Sequence, residues 1–416
     1  MMARHANLEA AGRQDPAAEP LAVGLADVSD DVEYATPPAG GVPGRGAGRR
    51  GAGGPDGRST GRRVVSQVAG VLAEIFLTLA AICALYVVWQ TWWTGVQAEH
   101  TQAQQRQAAS WTSPASDGTK VAPAQQGDPP VQPTDPKYGD LIAQLYVPRF
   151  GEGWARNIVE GTDAAQLARH GLGHYENSQL PGQVGNFAIA GHRSGYGEPL
   201  IDVDKLQPGD PIVIRTQDYW YVYTYQRYQV VDPTDVWVVA PNPEQPGSTP
   251  TKRMITLTTC DPPYQVATHR WISWGELKYW AKVAGGVPQE LATQDASGAV
   301  RFTGAKAESP IAAAVGGSLA PVVAVALLAW LVLAVAAAVA WRWPALRAIR
   351  EGRRPRPDVS FYGWLTRLMP GVLPVRLLLV ALLLFAAAAA LLEWVFPWAA
   401  STIPFLKAMS NYVAVS

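Results

Sequence analysis

Three apolar runs constrain this chain more than any other feature. They are VAGVLAEIFLTLAAICALYVV (Val68–Val88), LAPVVAVALLAWLVLAVAAAVA (Leu319–Ala340) and LLLVALLLFAAAAALLEWV (Leu377–Val395). Each is close to the roughly 20 residues that cross a hydrocarbon core as a helix. Tryptophans mark their ends: Trp89, Trp92 and Trp93, then Trp341 and Trp343, then Trp394 and Trp398. Indole rings favour the membrane–water interface. Charged residues make up only 16% of the 416, which fits a membrane protein better than a soluble one with three long buried helices. The sequence predicts transmembrane helices at 64–93, 311–341 and 377–396. Glu74 lies inside the first and is costly against lipid. It is expected to face the other two helices, with a place near an interface as the alternative.

Arginines set the expected orientation. Arg49, Arg50, Arg58, Arg62 and Arg63 precede the first run, and eight arginines from Arg342 to Arg376 lie between the second and third. Basic loops stay cytoplasmic. The N-terminal region (1–63, rich in Gly, Ala, Pro and Arg, and expected to be disordered) and the 342–376 loop are then inside. The segment from 94 to about 310 and the C-terminal tail (397–416) are outside. The leader is long and no A-x-A-like site follows the first run, so a retained signal anchor is expected over a cleaved signal peptide. Residues 94–137, with QAQQRQAA and APAQQGDPPVQPTDP, read as an extracellular Pro/Gln-rich tether, and 284–310 as a second linker. The 34 basic and 34 acidic residues cancel, which offers no basic surface for nucleic acid.

Between the linkers, 138–283 is long enough for one core. It reads as β-rich. Candidate strands are 141–148, 186–192, 211–216, 220–231, 235–239, 253–259 and 271–277, all short, β-branched or aromatic, and bounded by Pro, Gly, Asp and Asn. TDAAQLARH (162–170) reads as a short helix capped by Thr162 or Asp163. Many short strands with long loops predict a closed β-barrel. The tyrosines of YWYVYTY are expected on one face of a barrel strand, or bordering a peptide groove.

The chain has two cysteines. Cys83 lies in the first apolar run and Cys260 in the outer domain, so they cannot pair with each other. Taken alone, Cys260 is as readily a buried apolar cysteine as a nucleophile. Its company favours chemistry. His192 follows an apolar strand and precedes Gly195 and Gly197, at a loop mouth rather than in a core. A thiol needs a base or cation to react as thiolate. Arg270, always charged, suits an oxyanion. Cys, His and Arg at three strand ends form such a set if the barrel gathers them.

AIAGHRSGYGEPL, TLTTCDP and the following HRW resemble the three catalytic segments of sortases, the membrane-anchored cysteine transpeptidases of Gram-positive bacteria. VPRFG, VEGTD, GHYENSQLPGQVGN and LQPGD follow the same family's order. The resemblance covers about 140–280 and is closest to class E, the actinobacterial type. It implies an all-β outer domain, a closed eight-stranded sortase-type barrel, beside the three transmembrane α-helices. It implies Cys260 as nucleophile, His192 as general acid/base and Arg270 as the residue holding substrate or oxyanion. It further implies cleavage of an LPxTG- or LAxTG-like sorting signal between Thr and Gly, a thioester on Cys260, and transfer to an amine of a lipid II-type cell-wall precursor. The implied partners are secreted proteins bearing that signal, and the implied location is the outer face of the cell membrane. The two C-terminal spans lie outside the family pattern.

Other residues are weighed beside these. Thr258 and Thr259 are candidates for substrate binding, though strand threonines are commonly only β-formers. His174, next to Tyr175 and near Asn177, is expected to have a structural hydrogen-bonding role, and His269 to lie on the surface. No cofactor is called for. Asp202, Asp204, Asp210, Glu198 and Asp261 raise the Ca²⁺ site that some sortases have, but without a recognisable spacing. An L,D-transpeptidase, whose nucleophile sits in an S-x-G-C segment, is one alternative. A non-catalytic membrane scaffold that binds sorting signals is another.

Overall fold

The computed structural model describes residues 57–111, 120–294, 299–355 and 357–410. Residues 1–56 of the segment expected to be disordered, and 411–416 of the tail, lie outside them.

The first apolar run is part of a longer rod. Helix α1 (Gly57–Val88) passes through a π-helical turn (Trp89–Trp93) into α2 (Thr94–Ala109). This corrects two expected boundaries: 57–63 is helical, and so is the first third of the expected tether. Ala, Gln, Glu and Arg dominate 97–109, and all are good helix formers. The helix also has something to pack on, since Val96, Ala98, Gln102 and Ala103 are buried. It stops at Ser110, which turns left-handed at φ 50°.

The outer domain is a closed barrel. Its strands are β1 (Leu141–Tyr146), β2 (Ala155–Glu160), β3 (Leu172–His174), β4 (Gly185–Gly191), β5 (Pro211–Arg215), β6 (Tyr219–Val231), β7 (Arg253–Asp261) and β8 (His269–Lys282). They close in the order β1-β2-β3-β4-β7-β8-β6-β5. Helix α3 (Ala164–His170) joins β2 to β3, and the Asp163 carboxylate caps it by accepting from the Ala165 and Gln166 amides. A small hairpin, β9 (Ala292–Gln294) with β10 (Val300–Phe302), lies in the segment read as the second linker. The barrel interior holds Ile142, Leu145, Ile158, Phe187, Ile189, Ile212, Ile255 and Leu257 together with Tyr221, Tyr223 and Tyr225. The tyrosines thus form the inward aromatic face of β6. Fully burying one large apolar side chain contributes about 1.5–3 kcal/mol, so this cluster dominates the domain's stability.

Two strands escape the sequence pattern. β2 is ARNIVE, whose Asn157 is fully buried yet satisfied by α2: its backbone N–H donates to Gln102 Oε1 (3.1 Å) and its Nδ2 to the Gln102 carbonyl (3.0 Å). β3 has three residues, too few to show a period. One expected strand is not a strand: Val236–Val239 is a single 3₁₀ turn. The surrounding DPTDVWVVAPNPEQPGS carries Pro233, Pro241, Pro243 and Pro246, which remove ladder donors.

After the hairpin come α4 (Pro310–Val315), α5 (Ala320–Ala340), α6 (Pro344–Arg350), α7 (Phe361–Leu368), α8 (Leu373–Ala390), a π-helical turn (Leu391–Val395), α9 (Phe396–Thr402) and α10 (Pro404–Ser410). Among the described residues, three helical stretches are long and apolar enough to cross a membrane: Gly61–Ala109, Ala320–Ala340 and Leu373–Thr402. Trp89 and Trp93 pack with Ala312 of α4 and with Phe396 and Ala400 of α9, so the spans meet where α1 gives way to α2. Glu74 finds its partner at α7. It accepts from Ser360 Oγ and the Phe361 amide, both at 2.6 Å, and so caps that helix. Glu393 does the same for α5, accepting from Ser318 Oγ (2.6 Å) and the Leu319 amide (2.9 Å). Each carboxylate in an apolar span therefore meets the positive end of another helix.

Candidate active site

Register brings the first two site residues together. β7 and β8 are antiparallel, with Cys260 directly opposite Arg270 and Asp261 opposite His269. Directly opposed residues share one face of the sheet, with Cβ atoms ~4.5–5.5 Å apart. β4 runs parallel to β7, and its last pair is Ala190 with Thr258. Two residues further along each chain segment stand His192, one residue past the end of β4, and Cys260, still on β7. His192, Cys260 and Arg270 line a single cleft of about 530 Å³.

The threonines before Cys260 tie the two strands where the ladder ends. Thr259 Oγ1 donates to the Gly191 carbonyl (2.7 Å) and Thr258 Oγ1 to the Ile189 carbonyl (3.2 Å). Both are buried, and both border the cleft. Tyr175 forms part of its wall, with its hydroxyl 3.1 Å from that of Thr258. The turn at Val236–Val239 forms the apolar side of the cleft, so the segment misread as a strand is part of the groove.

His192 is only 7% exposed, and its Nε2 has no hydrogen-bond partner among the described residues. Desolvation pushes its pKa down to about 4, because no charge nearby compensates the buried imidazolium. The ring is therefore neutral at pH 7. It lies against Tyr196, with centroids 4.6 Å apart. Tyr196 is fixed by the anchor helix, since its amide donates to Thr94 Oγ1 (2.9 Å). α2 comes this close because Gly95 has no side chain; a Cβ there would sit 3.2 Å from the Gly197 backbone.

Sequence reasoning missed one pair. Arg193, directly after His192, is bonded to Asp261, directly after Cys260. Arg193 is 5% exposed and also lies over the Trp271 ring at 5.0 Å. The pair ties the residue following His192 to the residue following Cys260. Its only sequence signal is the matched order, His-Arg and Cys-Asp. A second tie runs from the Tyr264 amide to Ser194 Oγ (2.7 Å). Lys407 of α10 also lines the cleft, which nothing in its own segment indicates.

The remaining expectations resolve individually. His174 is buried, with Nδ1 2.8 Å from Glu160 Oε2 and Nε2 2.8 Å from Ser178 Oγ, a structural arrangement away from the cleft. His269 is exposed. Of the five carboxylates weighed for Ca²⁺, Asp202 pairs with Lys205, Asp210 with Arg149, and Asp204 and Asp261 with Arg193, while Glu198 accepts from the Tyr264 hydroxyl. Among the described residues no three metal-ligating side chains cluster.

The sortase-domain family model matches residues 145–278. Sortase SrtE2 of Streptomyces coelicolor is 34% identical over 246 residues, covering 56% of this chain and 92% of that protein. The chain belongs to the sortase family. Sortase SrtE1 of the same organism is 35% identical over 227 residues, which span 53% of this chain and 59% of its own length. The solved sortase E of Streptomyces avermitilis is 40% identical, covering 37% of this chain and 99% of that one, with a TM-score of 0.34. Class E is the sortase class these relatives represent, as their names record, and this chain falls with them. Membership removes the L,D-transpeptidase alternative.

Proposed function

We propose that this sortase cleaves an LPxTG- or LAxTG-like sorting signal between Thr and Gly and passes the acyl group to an amine of a lipid II-type cell-wall precursor. The observation that carries the reading is the convergence of Cys260, His192 and Arg270 on one cleft in a sortase barrel. The Cys260 sulfur attacks the Thr carbonyl carbon, and its proton passes to His192. A neutral resting imidazole suits this step, because only the neutral ring accepts a proton. The Arg270 guanidinium, on the same face as Cys260, stabilises the oxyanion. The protonated His192 then gives its proton to the leaving Gly amine, and the thioester remains. The acceptor amine attacks the thioester, releases the Cys260 thiol and forms a new amide bond. Thr258 and Thr259 border the acyl position and keep the His192 strand aligned with the Cys260 strand.

The catalytic barrel, on this reading, faces outward, with the 342–376 loop inside and both termini of the outer segment held in one membrane. The arginine distribution supports this orientation. The test is intact-mass spectrometry of the full chain mixed with a sorting peptide and no acceptor. A Cys260 adduct ending at Thr, released by hydroxylamine as a hydroxamate, is the expected result. Peptide bound without cleavage would instead support the scaffold reading.

A further inference from the structure

A second cleft, of about 470 Å³, shares no lining residue with the first and lies between α2, β2 and the chain leading into α4. Trp92, Glu99, Arg106, Trp154, Arg156 and Lys306 line it. Its edge at Thr91 and Trp92 is the end of the first membrane-spanning run, and Trp92 is exposed there. Tryptophan at such a position marks headgroup depth.

The two arginines are poorly matched by the protein itself. Arg156 donates only to neutral carbonyls, those of Ala155 (3.0 Å) and Gly197 (3.1 Å), and lies over the Trp154 ring at 5.1 Å. Arg106 donates to Asn157 Oδ1 (3.1 Å). Among the described residues neither has a carboxylate within ion-pair distance. A guanidinium carries five N–H donors, so both keep donors in reserve. Desolvation, and then the charge of Arg106, pull the Arg156 pKa down to about 10, yet it stays protonated at pH 7. Of the nearby acids, Glu308 pairs with His100 and Glu198 accepts from Tyr264, while Glu99 accepts from the Ser309 amide (2.7 Å) and its charge still acts on both arginines without touching either. Two adjacent half-buried cations with no carboxylate in direct ion-pair contact, joined by Lys306 and walled by indoles at headgroup depth, fit a phosphate oxyanion, which guanidinium forks bind bidentately.

We propose that this cleft is a phosphoryl-anion site that takes the phosphate headgroup of an anionic membrane lipid and so seats the barrel on the bilayer. The site is independent of the sortase reaction.

The probe is a phosphatidylglycerol analogue with a photoreactive diazirine beside its phosphate, used on the full chain in phosphatidylcholine nanodiscs. Peptides containing residues 92–106 and 150–156 should be labelled, and unlabelled phosphatidylglycerol should compete where phosphatidylcholine does not. Arg106→Gln and Arg156→Gln should each reduce this labelling roughly tenfold, the loss of one charge-assisted contact. Labelling of the basic 342–376 loop should not change, which controls for folding and insertion. Glu99→Gln, which keeps an acceptor for Ser309, should raise labelling about threefold by removing a competing negative charge. Equal labelling in the double arginine variant, or reduced labelling in Glu99→Gln, would overturn the proposal. Displacement by inorganic pyrophosphate but not by phosphatidylglycerol would reassign the site to soluble phosphate and overturn the lipid.

Discussion

The two sides of the active cleft are built differently. Cys260 and Arg270 face each other across adjacent antiparallel strands, only ten residues apart in sequence, and the ladder register alone places them. His192 stands on a loop held by remote parts of the chain. Tyr196 is fixed by Thr94, a contact across about a hundred residues, Arg193 is bonded to Asp261, and Ser194 accepts from Tyr264. The thiol side should therefore be robust to change elsewhere, while the histidine side depends on the anchor helix. A reaction that needs both has its weak point at the loop.

The largest effect should come from the thiol. Cys260→Ala should reduce transpeptidation by at least about 10⁴-fold, because among the described residues lining the cleft Cys260 alone carries a thiol. Peptide-cleavage assays check this, and an unchanged melting temperature would show the barrel intact. His192→Ala should cost roughly 10²–10⁴-fold in kcat, the usual worth of a positioned acid–base group. Arg270→Lys keeps the charge and loses the planar fork, and should lower kcat about 10²-fold. Near-normal turnover in that variant would show that charge alone suffices.

Smaller effects separate the two sides more sharply. Thr94→Val removes the acceptor for the Tyr196 amide and should lower kcat roughly tenfold by misplacing His192. The rate of Cys260 alkylation by iodoacetamide in the free enzyme should change far less. If alkylation falls equally, the two sides are one unit and the contrast fails. Acid should act on the histidine side as well. The folded pKa of His192 lies below its unfolded value, so the unfolded chain takes up a proton that the folded one refuses. Stability is then full above pH 6.5 and is lost as pH falls toward 4, by up to about 3 kcal/mol. Thermal melts of wild type against His192→Asn should show a shallower acid slope in the variant.

The contrast also explains what could be read in advance. Cys260, His192 and Arg270 stand out because reactive side chains at strand ends are chemically conspicuous, and the barrel joins strands whose alternation is plain. Asp163 as helix cap and the tyrosine face of β6 are local, and so they were legible. β2 was not, because the Asn157 that breaks its pattern is satisfied only by α2. Val236–Val239 was misassigned because its β-branched residues satisfy the strand pattern while the prolines around it withhold the ladder.

By itself the sequence determined three membrane-length helices, a β-rich domain between the first two, and which rare side chains are candidates for the site. Those follow from the length of apolar runs, residue alternation and rare functional groups, all properties of short windows. Only the tertiary structure decided that α2 continues the anchor and grips the histidine loop, that Arg193 meets Asp261, that Lys407 reaches the cleft, and that Arg106 and Arg156 share a second one. Each of these joins residues far apart in the chain. Their free energy comes from desolvation and geometry that exist only once the barrel has closed on its anchor.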